Sequence, residues 1–416
     1  MITRTEAERI AVGWARRQSI RRGYPCTPYV EELALGWAVS MVLPPDVRTE
    51  PGADVTTVID RTTGRLSHWP PAPTADLDQR YTERRDAAVG AHQTADPIAE
   101  LRREAYRRVS PSVAAHLTLG GRLFRARGAK GDQELRHHPV VAGLLAAIGP
   151  AGTVRGADRH AELLVVSDVL YEADRTRAAA GIAPLTLDEA RTLLGQGRLE
   201  TFHIRESGDR LGGQPATFCV TCAGVLLDLT VITDADRAHP QVRRLTSGTD
   251  PQPGRFPAEV AWELAAGDWG SEPEYRESRG AGLIERIEAS RGREHALSRF
   301  PAAEAALREF SDVAPGRNGP GAAQWVRWFH LGSGNLLHLA DPLHELGTVV
   351  GARMFPIGRE GFDEAVLAID EHGRVFSLDQ GGEWFIAATL DQAIVALTTG
   401  LPAARIRDDG TWREES

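Results

Sequence analysis

The stretch His160-Ala161-Glu162-Leu163-Leu164-Val165-Val166-Ser167-Asp168-Val169-Leu170, together with Phe218-Cys219-Val220-Thr221-Cys222, decides how the middle of this chain is read. His160 opens a predicted helix to about Ala180, with Leu163, Leu164, Val166, Val169 and Leu170 as its apolar positions. Cys219 opens another, continued by Val225, Leu226, Leu227 and Leu229. Cysteines three residues apart on a helix lie about one turn apart, so both sulfurs face one point. A helix N-terminus also favours thiolate over thiol.

One histidine and two cysteines make a three-ligand zinc set that leaves a coordination position open. Here His160, Cys219 and Cys222 are the candidate ligands for Zn2+, and Glu162 is the candidate proton carrier. The other readings are bland. In these, His160 is a helix-start histidine with no ligand role and Glu162 a solvated carboxylate, both weaker than the metal reading. Cys219 and Cys222 read as buried apolar thiols or as a redox pair, although no thioredoxin-like βαβ pattern precedes them. His137 and His138 are read as a helix start, not as ligands, and Cys26 as a structural thiol.

Working outward, Val113–Leu119, Gly120-Gly121 and Arg122–Ala126 predict a hairpin with a two-residue turn. Helices are predicted over His138–Ile148 and from Thr186 as N-cap, and a strand over Glu200–Arg205. Arg122, Arg125, Arg127 and Lys130 form a basic cluster, read as a solvated strand face or a substrate-steering patch.

These features divide the chain into three compact blocks: 1–86, a small α+β module; 105–234, the candidate zinc domain; and 255–401, a second α+β block. Residues 87–104 and 235–253 read as connectors. In the first block Glu6–Gln18 predicts a helix with Ile10, Ala11 and Trp14 on one face. The alternation of Leu33, Leu35, Trp37, Val39, Met41 and Leu43 predicts a strand. Val55–Asp60 and Arg65–Trp69 predict a hairpin, followed by a short helix over Asp76–Asp86. In the last block helices are predicted over Pro257–Ala266, Ala302–Phe310 and Leu390–Thr399, the last closed by Gly400. Strands are predicted over Val349–Phe355, Ala365–Ile369 and Val375–Leu378.

The 416 residues are 42% hydrophobic and 25% charged, enough apolar material for several cores. No segment has the form of a secretory signal or a membrane span, so a cytoplasmic location is expected. The net charge is −9. It sits in the last block, where 13 basic residues face 22 acidic ones, while 105–234 has 15 against 14. A basic nucleic-acid footprint is missing.

His160-Ala161-Glu162, with Cys-x-x-Cys some 57 residues after Glu162, resembles the zinc nucleobase-deaminase superfamily. The hairpin followed by Gly128-Ala129-Lys130-Gly131, His138-Pro139-Val140-Val141 and Ser167-Asp168-Val169-Leu170 resembles its YwqJ-like members, deaminases of bacterial polymorphic toxin systems. The resemblance covers most of 105–234. It implies an α/β/α sandwich with zinc between two helix starts, held by His160, Cys219 and Cys222, and Glu162 as catalytic acid/base. Two departures stand out. Phe218 takes the place of the usual proline, and only Thr230 to Thr233 is strand-like after the cysteine helix.

Arg255-Phe256-Pro257-Ala258-Glu259-Val260, Gly267-Asp268-Trp269, Phe355-Pro356-Ile357-Gly358 and Gly373-Arg374-Val375-Phe376 resemble the third subgroup of the SUKH superfamily. That family's members are immunity proteins that bind toxins, which implies a toxin or other protein partner. Where the pattern expects Gly-Gly after Phe310, this chain has Ser311-Asp312. Val58-Ile59-Asp60-Arg61-Thr62-Thr63-Gly64 before Trp69-Pro70 is similar to another immunity-type module. The expectation for the whole is an α/β and α+β multi-domain protein. It is a zinc-dependent deaminase of a nucleobase, nucleotide or nucleic acid, fused to a SUKH immunity domain. The alternative is a non-catalytic immunity or interaction protein on a degenerate deaminase fold.

Overall fold

A computed structural model describes residues 2–8, 11–12, 15, 24–42, 44, 56–62, 66–69, 72–90, 110–131, 135–206, 208–234 and 250–412. Ile10, Trp14, Leu43, Val55, the turn at residues 63–65 and both connectors apart from residues 87–90 and 250–253 lie outside them. The chain combines helix and sheet in three packed regions. Among the described residues no helix is long and apolar enough to cross a membrane.

The first sheet runs in the order β1 (Thr27–Glu32), β2 (Gly36–Val42), β3 (Thr56–Asp60), β4 (Leu66–Trp69), antiparallel throughout. The alternation from Leu33 predicted one strand, but a turn interrupts it. Leu33 N–H donates to the Gly36 carbonyl at 3.0 Å. Gly36 has no room for a side chain, since a Cβ would stand 2.8 Å from the Ile59 carbonyl. Leu33 is still buried, so an inward turn residue mimics the strand period. Helix α1 (Thr74–Gly90) is longer than expected. Its Tyr81 packs edge-on against Trp69 and donates to buried Asp60 at 2.7 Å.

The central sheet has the order β6 (Arg122–Arg127), β5 (Ser112–Leu119), β7 (Arg198–Ile204). Gly120 and Gly121 make the hairpin turn with φ of 56° and 73°, which only glycine adopts cheaply. Around the sheet lie α2 (Pro139–Ile148), α3 (Ala161–Ala179), α4 (Leu187–Leu194) and α5 (Val220–Asp228). A capping box between Thr186 and Glu189 starts α4 as predicted. Helix α3 packs on β5 and β6, and α5 on α2 and α3. Leu117, Leu163, Val166, Leu170 and Leu226 fill the core.

Thr230 to Thr233 is not a strand. The chain turns back at Thr230 (φ 56°), and Thr230 and Val231 donate to the carbonyls of Leu227 and Leu226. Those bonds close α5 and leave Val231 and Ile232 buried, which gave the segment its apolar look. The basic cluster is not a solvated face either. Arg122 pairs with Glu172 and lies over the Phe124 and Trp69 rings, and Lys130 is buried.

The last region is a meander, in the order β10 (Phe329–Leu331), β11 (Met354–Glu360), β12 (Ala365–Asp370), β13 (Val375–Asp379), β14 (Gly382–Ala387), β15 (Ala404–Arg405). A small pair, β8 (Gly319–Pro320) and β9 (Trp325–Val326), stands apart. The helices are α6 (Ala258–Ala266), α7 (Pro273–Ala289), α8 (Pro301–Phe310), α9 (Ala340–Val350) and α10 (Leu390–Thr399). Gly400, at φ 73°, ends α10 as expected. The predicted strand at Val349–Phe355 is corrected: Val349 and Val350 finish α9, Gly351 (φ 70°) caps it, and the strand begins at Met354. Packing continues past residue 401, because β15 extends the sheet and Trp412 stacks on Phe385 at 4.9 Å.

An antiparallel sheet commonly keeps one face wet. Here every residue of β11, β12 and β13 is buried. Helices α8 and α9 pack on β11. On the other side Glu360, Ser377 and Asp379 meet Arg155 of the central region. Arg155 stands 2.6 Å from Glu360, 2.7 Å from Ser377 Oγ and 3.8 Å from Asp379. Arg327 adds pairs to Glu360 at 3.1 Å and Asp379 at 3.4 Å. Burial opposes ionisation of Glu360, but the two guanidiniums outweigh it and hold the carboxyl down to about 2.

A carboxyl depressed in the folded state stabilises above its ordinary value and loses that contribution as pH falls through the folded value. The denaturation midpoint is therefore expected to drop between pH 4.5 and about 2. Glu360→Gln leaves the guanidiniums short of a counter-charge. It should cost about 3–5 kcal/mol at neutral pH and flatten that acid slope, as read by urea titrations at pH 7 and pH 3.

Candidate metal centre

His160 is the N-cap of α3 and Cys219 the N-cap of α5, so two helix starts meet. Cys219 takes that place because its sulfur accepts the Cys222 N–H at 3.4 Å. The two segments are tied by the Val154 N–H, which donates to Thr221 Oγ1 at 2.8 Å. His160 Nδ1 then stands 3.5 Å from the Cys219 sulfur and 3.4 Å from the Cys222 sulfur. All three ligand atoms lie within 4.8 Å of one another and all three residues are buried. At Zn–S of about 2.3 Å and Zn–N of about 2.0–2.1 Å, tetrahedral ligands of these types stand roughly 3.5 Å apart. The donor set fits a tetrahedral zinc with one position left over.

The three side chains also set one another's charge. Without an ion, the hydrogen bond from Cys222 holds Cys219 well below the usual thiol range, against burial and with help from His160. Burial would lower His160, but the Cys219 sulfur beside it outweighs this and pushes it up to about 9. Burial and the neighbouring Cys219 sulfur raise Cys222 well above the usual thiol range.

Glu162 lies on the first turn of α3 and is fully buried. Burial raises its carboxyl above the usual range, and His160 pulls it back in part. Neither carboxylate oxygen has a well-aligned hydrogen-bond partner among the described residues. A hydrogen bond from the Gln380 side chain also lowers the carboxyl. A buried carboxyl with so little hydrogen bonding is costly in an apolar core.

His137 and His138 have other work. His138 Nδ1 caps α2 through the Val140 N–H, and its Nε2 meets Asp174 at 2.9 Å. His137 bonds Ser167 and the Asp158 carbonyl.

Comparison of the sequence with known families agrees with this geometry. Residues 100–231 match the YwqJ-like deaminase family, and residues 256–400 match the SUKH-3 immunity protein family. The chain thus joins a region similar to YwqJ-like deaminases, called the deaminase domain, to one similar to SUKH-3 immunity proteins, called the SUKH-3 domain. Residues 5–88 match the immunity protein 35-like domain. No curated protein and no solved structure matches the chain.

The deaminase domain does not line the centre alone. Val113, His203, Arg205 and Thr217 approach from its own side. Arg327, Glu364, Asp379 and Gln380 approach from the SUKH-3 domain. Burial lifts Glu364 to about 7, with Arg327 pulling down and Cys219 adding to the rise. Burial also lowers His203 to about 4, so it is neutral at pH 7. Sequence reading named His160, Cys219, Cys222 and Glu162, and the structure brings these four residues together. That reading missed the four SUKH-3 residues, which stand more than a hundred positions away with no motif to link them. The Gly381-Gly382 pair at the start of β14 is a hairpin signal that the sequence reading did not use, and it would not have given the turn's destination.

His138→Ala is expected to destabilise the protein by about 1–3 kcal/mol, since it removes the partner of Asp174 Oδ2 and uncaps α2. Metal content measured on the same sample should be unchanged, whereas a ligand role for His138 would lower it.

Proposed function

We propose that the central domain is a zinc-dependent hydrolytic deaminase acting on a nucleobase, free or within a nucleotide or nucleic acid. The division proposed is 1–86, 105–234 and 255–401, with the last block an immunity module in a bacterial toxin–immunity system inside the cytoplasm. The observation that carries the reading is the convergence of His160 Nδ1 with the Cys219 and Cys222 sulfurs beside a fully buried Glu162.

His160, Cys219 and Cys222 hold the ion. Its chemistry, when bound, is to make water a nucleophile at neutral pH. Glu162 is placed to move protons. It takes one from the attacking water, delivers it to the ring nitrogen, and helps the amine leave as ammonia. Its raised carboxyl suits that task, because such a group exchanges a proton near neutral pH more readily than an ordinary glutamate. Both helix N-termini favour the anionic ligands.

Purified protein is expected to carry about one zinc per chain, and the Cys219→Ala/Cys222→Ala double variant none, by elemental analysis. Glu162→Gln should keep the zinc and lower ammonia release from cytosine or adenine substrates by about 10²–10⁴-fold. Zinc-free protein with its fold intact would favour the non-catalytic reading. A Glu162→Gln variant as fast as the parent would remove Glu162 from its role.

A further inference from the structure

We infer that the SUKH-3 domain has its partner in its own chain: it grips the deaminase domain and seals the metal centre with the β13–β14 turn, Asp379-Gln380-Gly381. This inference rests on the proposed function, whose site it closes.

The turn is built to be rigid. Asp379 Oδ1 accepts from the Gly381 and Gly382 N–H groups at 2.9 and 3.1 Å and from Trp384 Nε1 at 3.0 Å. Its tip reaches the deaminase domain. Gln380 Oε1 accepts the Ala161 N–H at 3.1 Å, between the ligand His160 and the proton carrier Glu162. That N–H is one of the free donors of the α3 N-terminus, the type of group that would otherwise meet a polar substrate atom. Arg159 donates to the Gly381 carbonyl at 3.1 Å and anchors the turn from below.

Two glycines of the deaminase domain fit only a close neighbour. A Cβ on Gly128 would lie 2.2 Å from the Gln380 carbonyl oxygen, and one on Gly156 would lie 2.6 Å from the Trp384 ring. Charge complementarity supports the same docking. Lys130 meets Glu383 at 3.2 Å and Arg155 meets Glu360 at 2.6 Å, with all four side chains no more than 4% exposed. Such pairs specify a partner, because either charge buried alone is strongly unfavourable. What remains at the centre is a cavity of about 10 Å3, room for about one water molecule. No base enters while the turn is seated.

Gly128→Leu tests the seal, because Gly128 is not part of the metal site and its φ lies outside the left-handed region. The leucine should lift the turn and leave the deaminase backbone intact. Metal-stripped full-length protein is treated with iodoacetamide under native conditions and each cysteine is followed by mass spectrometry. Cys26, buried in the first region, serves as the internal control. Cys219 and Cys222 are expected to be shielded in the parent and to react about tenfold faster or more in Gly128→Leu, with Cys26 unchanged. If Gly128→Leu fails to fold, Gln380→Ala is read in its place and is expected to move in the same direction. Equal Cys219 and Cys222 rates in the parent and the folded variant would overturn the seal. The zinc-loaded variant should then release ammonia from cytosine or adenine nucleosides faster than the parent. Exposed thiols without such turnover would overturn the proposed function and leave the seal standing. Turnover equal to the parent's, with thiols equally reactive, would overturn the seal and leave the function standing.

Discussion

Two helix N-termini brought together are the constraint on which the central region depends. His160 caps one and Cys219 the other, and each is fixed by backbone bonds at the start of its helix. Once α3 and α5 pack through Leu163, Val166 and Leu226, one imidazole nitrogen and two sulfurs have nowhere to point but at each other. The same packing buries Glu162. A polar cluster of this type, set in an apolar core, is expensive without a function. The helix ends ease that cost by favouring negative charge there.

A second constraint lies between the domains. Arg155 and Lys130 of the deaminase domain are buried against Glu360, Asp379 and Glu383 of the SUKH-3 domain. The −9 net charge of the last block is therefore not only a solvated surface. Part of it is spent against arginines and the single lysine of this same chain. The sheet carries a polar second face because that face meets another domain instead of water. The connection also explains why every residue of β11 to β13 is buried.

Much of this was legible in the sequence, and the failures have physical causes. Helix starts were readable wherever a cap residue preceded an apolar period, as at His138, His160, Thr186 and Cys219. The Gly-Gly hairpin was readable because its turn demands positive φ. Helix α7 was missed because its charged sequence shows only a narrow stripe of Gly280, Leu283, Ile284 and Ile287. Leu33 and Ile232 misled because turn residues that plug a core look like strand residues. The basic cluster at Arg122 to Lys130 misled because sequence shows a charge and not its partner. Glu172 and Glu383 are 50 and 253 positions from the residues they pair with. For the same reason the ligands of the candidate site were visible, while the residues that close over it were not.

The most direct test of the account is the absorption spectrum of the full-length chain loaded with cobalt(II) in place of zinc. Two thiolates and one imidazole around a four-coordinate ion predict intense visible bands and a near-ultraviolet thiolate-to-metal charge-transfer band, both lost in the Cys219→Ala/Cys222→Ala variant. A weak, six-coordinate spectrum without charge transfer, unchanged by that substitution, would contradict a metal centre at the meeting point of the two helices.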